Sequence, residues 1–147
     1  MARLLIIAIA LIILLMPIPS CAAERYQPIK ENITASDINT VARLVWLEAR
    51  GESDEGQRAV VEVVFNRVMH SSFSDSISQM VYAKNQFSPA KRIPTTTATS
   101  KEYRNVYHVL WTSQRILPAD VVYFSMGAQN PRVYTKIGCH VFCRIGG

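Results

Sequence analysis

Apolar positions recur along this chain with two different periods, and the change of period divides it. Ile38, Val41 and Val45 follow helical spacing, the pattern of a helix with one face turned to a core. Thr34 and Asp37 stand ahead of them as a capping pair, and Gly51 follows where a left-handed residue would stop the helix. The spacing therefore predicts a helix over 37–50. Ser53 and Asp54 offer caps for a second helix, about Glu55 to Met69. Ala59, Val60, Val61, Val63, Val64, Phe65 and Val68 cover most of its circumference, which predicts a central helix with little water on any side. Ile77, Met80 and Val81 predict a short helix ending near Tyr82. Asn85 to Thr99, with Pro89, Pro94 and three consecutive threonines, is expected to be irregular. Thr99 and Glu102 form a capping box for the next helix, where Tyr103, Val106, Tyr107, Leu110 and Trp111 make a stripe expected to pack into the core. Beyond Pro118 the pattern shortens to strands at Val121–Ser125, Val133–Ile137 and His140–Arg144. Gly127, Asn130-Pro131 and Gly138 separate them. Helices first and strands last predict an α+β domain, with N-terminal helices packed on a short C-terminal antiparallel sheet.

The first twenty residues follow neither period. Arg3 precedes an unbroken apolar run from Leu4 to Met16, which has the length of a secretory h-region. A membrane-spanning helix needs roughly 20 such residues. Pro17 and Pro19 end the run, and Ile18-Pro19-Ser20-Cys21 resembles a lipoprotein processing box with Cys21 as the lipid anchor. Ordinary cleavage near Ala22 or Ala23 and an uncleaved membrane anchor are the alternatives. Either cleavage places the working domain outside the cytoplasm, in the envelope or beyond it. The expected organisation is a signal peptide at 1–20, a tether at 21–36 and a single domain at 37–147.

Composition adjusts this picture in two places. The formal net charge of +5 suits a polyanionic surface, but no concentrated basic stripe accompanies it, so nucleic acid is not an expected partner. The domain is expected to act as a monomer. Cys139, His140 and Cys143 supply three of the four ligands that a structural zinc takes, and neighbours on a strand face opposite ways. Neither a metal nor a cofactor is expected, and the two cysteines are assigned no chemical role.

The next position on the stripe of Ile38, Val41 and Val45 is Glu48, beside Trp46. A carboxylate on the core face of a helix is costly unless it is used. Such surroundings raise a carboxyl pKa, which a general acid at neutral pH requires. Glu48 is therefore the candidate catalytic acid. The alternative is a helix-end carboxylate that reaches solvent or pairs with Arg50 or Arg67.

Several local patterns, taken in order, resemble the spore-cortex-lytic and cell-wall hydrolase family. They are Trp46-Leu47-Glu48-Ala49-Arg50-Gly51-Glu52, Glu55-Gly56-Gln57, Val60-Val61 to Asn66-Arg67-Val68, Gln86-Phe87-Ser88-Pro89, Tyr123-Phe124, Asn130-Pro131 and Ile137-Gly138-Cys139-His140-Val141-Phe142. The chain departs from the family pattern at Ser125 and Cys143. The resemblance implies a small lysozyme-related α+β domain that cleaves peptidoglycan glycan strands, with Glu48 as catalytic glutamate. It favours lytic transglycosylation at the bond between N-acetylmuramic acid and N-acetylglucosamine. Hydrolysis by water, as in a muramidase, and a non-catalytic glycan-binding module are the alternatives. Glu52, Gln57, Phe87, Ser88, Tyr123 and His140 are the residues expected at the substrate. Glu52, Asp54 and Glu55 are the nearby carboxylates that a two-carboxylate mechanism would draw on.

Overall fold

The structure, a computed structural model, describes residues 25–146. The predicted signal segment and Cys21 lie outside the described residues. Six helices precede three strands among those described. The α-helices are α1 (Gln27–Asn32), α2 (Ala35–Ala49), α3 (Asp54–Met69), α4 (Ile77–Tyr82) and α5 (Ser100–Trp111), with a 3-10 helix at Ala90–Thr95 between the last two. The strands are β1 (Val121–Ser125), β2 (Val133–Ile137) and β3 (His140–Arg144). They form an antiparallel sheet in the order β1-β3-β2, with β3 in the middle. None of the described helices is long and apolar enough to cross a membrane.

The predicted caps form. Thr34 accepts from the Asp37 N–H and Asp37 bonds back to the Thr34 N–H, closing the box that starts α2. Ser53 accepts from the Gly56 N–H at the start of α3, and Thr99 with Glu102 closes the box that starts α5. Each satisfies backbone donors that a helix start otherwise leaves open. α3 is enclosed as its composition requires: from Gly56 to Val68 every residue except Arg58 is buried. It packs against α2, α4, α5 and β1.

Four expectations are corrected. The described part of the segment read as a tether, from Arg25 onward, is docked on the core. Tyr26 is wholly buried, its ring meets Phe65 edge-on at 5.4 Å, and its hydroxyl donates to Asn66 Oδ1 at 2.8 Å. A buried tyrosine with a paired hydroxyl joins an apolar body to a polar tip, which mixed polarity in sequence conceals. Gly51 does not stop α2 by a left-handed turn: Arg50 keeps right-handed helical angles, and the Glu52 N–H bonds Ala49 O at 3.0 Å. The segment from Asn85 to Thr99 is not wholly irregular, since it holds the 3-10 helix. The α5 stripe is only partly core: Val106 and Leu110 are wholly buried, whereas Tyr107 is 43% and Trp111 61% exposed. The Lys30 ammonium lies 5.4 Å from the Trp111 ring centroid, so the exposed indole has a cationic neighbour from α1.

One turn requires glycine. Ile137 faces His140 across the β2–β3 hairpin, leaving Gly138 and Cys139 to make the turn. Gly138 has φ +56°, and a Cβ there would lie 1.7 Å from Glu52 Oε2. The Glu52 carboxylate fills that space and accepts from the Cys139 N–H at 3.2 Å. Gly138→Ala is expected to cost about 2 kcal/mol or more, combining left-handed strain with the displacement of Glu52. Urea unfolding measures it. Placing the same substitution in a Glu52→Ala background should remove the clash and leave the strain.

Candidate active site

A cleft of about 220 Å³ opens where five segments meet. The end of α2 contributes Glu48, and the last turns of α3 contribute Arg67. The loop after α4 contributes Gln86, Phe87 and Ser88, while the β1 end and the start of β3 bring Phe124, Ser125 and His140. Met126 and Gln129 complete the rim. Two hollows of about 560 and 570 Å³ lie elsewhere, but neither holds Glu48. A half-buried acid that shares its lining with a buried cation makes the smaller cleft the candidate for chemistry.

Glu48 is half-buried at the position the α2 stripe gives it, following the fully buried Val41 and Val45. Among the described residues none hydrogen-bonds its carboxylate, and it is the one carboxylate lining the cleft. Burial raises its pKa above the ordinary range, while the Arg67 guanidinium pulls the other way. Neither arginine forms an ion pair with it among the described residues. Arg50 instead lies over the Trp46 ring at 4.7 Å. Trp46 does not line the cleft, so the neighbouring indole is not its wall as the sequence implied.

The loop is aimed by its own backbone. Asn85 adopts φ 65°, a left-handed conformation that asparagine tolerates better than most residues. The chain then turns Gln86 to Arg67, whose Nη1 donates to Gln86 O at 3.1 Å and to Gln86 Oε1 at 3.2 Å. Arg67 Nε donates to Val122 O at 2.7 Å, tying α3 to β1. Burial lowers the Arg67 pKa to about 10, partly offset by Tyr123 and Glu48, so it stays charged at neutral pH. His140 packs edge-on against Phe124 at 5.1 Å, and burial lowers its pKa against the opposing pull of Glu52. It is therefore neutral at neutral pH. Its Nδ1 is buried without a partner among the described residues.

Of the residues expected at the substrate, Phe87, Ser88 and His140 share the cleft with Glu48. Gln57 does not. It is wholly buried, donates to Ala49 O at 3.1 Å and Glu102 Oε1 at 2.8 Å, and accepts from Asn105 Nδ2 at 2.9 Å. With its amide thus committed, Gln57 fixes the end of the helix that carries Glu48 and cannot reach a ligand. Glu52 braces the β2–β3 turn, and Tyr123 stands beside Phe73 on the far side of β1 from Phe124. Neither lines the cleft. The expectation missed Arg67, Gln86, Phe124, Ser125, Met126 and Gln129 as lining residues. Arg67 carried a usable signal, a charge on a helix apolar all round, which is the same oddity that marked Glu48.

Comparisons with known proteins bear on the family and the fold. A profile described as Cell Wall Hydrolase matches residues 51–143, more than half of the chain. The match takes in the cleft residues from Arg67 to His140 and begins just after Glu48. A spore cortex-lytic enzyme from Oceanobacillus iheyensis is 36% identical over 59 residues, a match covering 40% of this chain and 21% of that protein's length. The catalytic domain of the Bacillus cereus SleB protein superposes with a TM-score of 0.67 at 26% identity, covering 77% of this chain and 93% of that one. The catalytic domain of the germination-specific lytic transglycosylase SleB from Bacillus anthracis gives a TM-score of 0.66 at 26% identity, covering 77% and 98%. The α+β, lysozyme-related fold expected from the sequence is thus the one found, and the chain is an enzyme of the cell wall hydrolase family.

Proposed function

We propose that this protein is an exported lytic transglycosylase that cleaves the bond between N-acetylmuramic acid and N-acetylglucosamine in peptidoglycan. The observation that carries the reading is a single half-buried glutamate, free of protein partners, in a cleft with no second carboxylate among its described lining residues. A mechanism with two carboxylates needs a partner at roughly 5–5.5 Å or 6.5–9.5 Å. Transglycosylation needs one group in two states. Protonated Glu48 gives its proton to the glycosidic oxygen as the C1–O bond breaks and positive charge builds on the muramyl ring. The resulting carboxylate then takes the proton of the muramyl 6-hydroxyl as that oxygen attacks C1. A 1,6-anhydro ring forms, the N-acetylglucosamine end leaves as an alcohol, and Glu48 is protonated again without consuming water.

The surroundings suit both halves. Burial favours the neutral acid for the first step, and the Arg67 charge favours the carboxylate for the second. Phe87, Phe124 and His140 present ring surfaces, while Ser88, Gln86 and Gln129 present hydrogen-bonding groups, a combination that fits a sugar. Glu52 and Gln57 support the site from behind. Export rests on the apolar run from Leu4 to Met16, with Cys21 as the lipid-anchor position. Mass spectrometry of the mature N-terminus should find a lipidated Cys21, and a start near Ala22 or Ala23 would refute the anchor.

Glu48→Gln is expected to reduce release of soluble fragments from purified peptidoglycan by about 10²–10⁴-fold. Wild-type products should carry anhydromuramyl ends by mass spectrometry. Reducing muramyl ends would replace the 6-hydroxyl with water in the second step, and full activity in the variant would remove Glu48 from the mechanism. Because the first step needs the protonated acid, the rate should fall as pH rises through the raised Glu48 pKa.

The same shift has a stability consequence. A carboxyl whose pKa is raised on folding contributes stability below its unfolded pKa and loses it as pH rises through the folded value. Glutamine mimics the protonated form at every pH. Glu48→Gln should therefore raise the Tm at neutral pH, with the gain disappearing below the ordinary carboxylate range in a thermal unfolding series.

A further inference from the structure

Arg67 is held in a way that leaves part of it unexplained. It is only 4% exposed. Nε is committed to Val122 O and Nη1 to Gln86. The guanidinium packs 4.5 Å from the Phe87 ring centroid, with the rings of Phe73 and Tyr123 at 5.6 and 5.8 Å. These contacts leave the fork no freedom to turn. Nη2, however, makes no hydrogen bond among the described residues. The cavity that Arg67 lines is the Glu48 cleft. No carboxylate pairs with it: the ion pairs among the described residues are Arg104–Asp54 and Arg144–Asp120. A desolvated, immobilised cation with unused N–H donors at the reacting centre is set for an acceptor oxygen that arrives with the substrate.

We propose that Arg67 is a specificity-determining residue whose Nη2 donates to the acetamido carbonyl of the sugar seated beside Glu48, so that the cleft takes N-acetylated strands and rejects de-N-acetylated ones. The inference rests on the reading of this cleft as a site for an amino-sugar polymer. Every sugar of an N-acetylated strand carries that carbonyl whatever its peptide substitution. Removing the acetyl group has two effects of the same sign. It deletes the acceptor, and it leaves an ammonium facing a guanidinium in a site of low dielectric. Gln86 contributes indirectly by holding Nη1 and so fixing the direction of Nη2.

The test uses three preparations: native peptidoglycan, the same material chemically de-N-acetylated, and strands stripped of peptides with acetyl groups intact. It is run at a pH where the free amine is protonated. Wild type should release fragments from native and stripped strands at similar rates, and at least about tenfold more slowly from de-N-acetylated strands. Arg67→Lys, with its fold checked by thermal unfolding, keeps the charge and loses the fork. It should shrink the acetylated-to-deacetylated ratio at least about threefold, chiefly through slower action on acetylated strands. Equal wild-type rates on acetylated and de-N-acetylated strands would overturn the assignment, as would a variant slowed equally on both. Loss of activity on stripping peptides would also overturn it, by moving the contact to the peptide arm. Binding of the Glu48→Gln variant separates this inference from the functional reading. A preference for acetylated strands without cleavage by wild type would sink transglycosylation and retain Arg67, whereas cleavage without preference would do the reverse.

Discussion

A helix enclosed on every side must find a partner for each polar group it carries, because an unpaired one costs the full desolvation penalty. α3 carries four such side chains, and each recruits a different part of the chain. Gln57 bonds the end of α2 and the start of α5. The Glu62 carboxylate, wholly buried, accepts from the backbone N–H groups of Ile116 and Leu117 ahead of β1. Asn66 donates to Pro118 O and Val121 O and receives the Tyr26 hydroxyl. Arg67 reaches Val122 O and Gln86. The apolar surface of α3 drives burial without direction, whereas these four polar groups set where each neighbour sits.

The cleft follows from that arrangement. Glu48 lies on the helix whose last turn Gln57 fixes, and the opposite wall is the loop and strand that Arg67 fixes. The acid and the cation are thereby both held through α3. Burial and the Arg67 charge act on Glu48 in opposite senses. In the proposed mechanism, where Glu48 gives a proton and then takes one back, such a balance serves both steps, since either influence alone would favour one state throughout. His140, kept neutral by its apolar surroundings, closes the cleft without adding a second cation.

Local signals in the chain were legible where structure is local. The boxes at Thr34 and Thr99, the helix over Ile77–Tyr82 and the bounds of all three strands follow from caps, periods and breakers that involve residues a few positions apart. The same holds for Glu48, whose place on the α2 stripe puts it toward the core whatever packs there. Readings that needed a partner from elsewhere in the chain went astray. Tyr26 looks like part of a polar leader until Asn66 is beside it. Gln57 looks available for substrate until Asn105 and Glu102 occupy its amide. Trp111 keeps core spacing on α5 but stays largely exposed, with the Lys30 ammonium beside its ring.

The amino-acid sequence by itself therefore determined the order of four helices and three strands, the α+β class, the central apolar helix and the glutamate at the end of α2. These depend on spacing along the chain, and spacing is preserved on folding. The tertiary structure alone decided which residues meet at that glutamate. It brought in Arg67 and Gln86, moved Glu52 to the β2–β3 turn and withdrew Gln57 into the core. Hydrogen bonds between residues tens of positions apart have no period to betray them. They exist only once burial has brought their elements together and made each unpaired polar group costly.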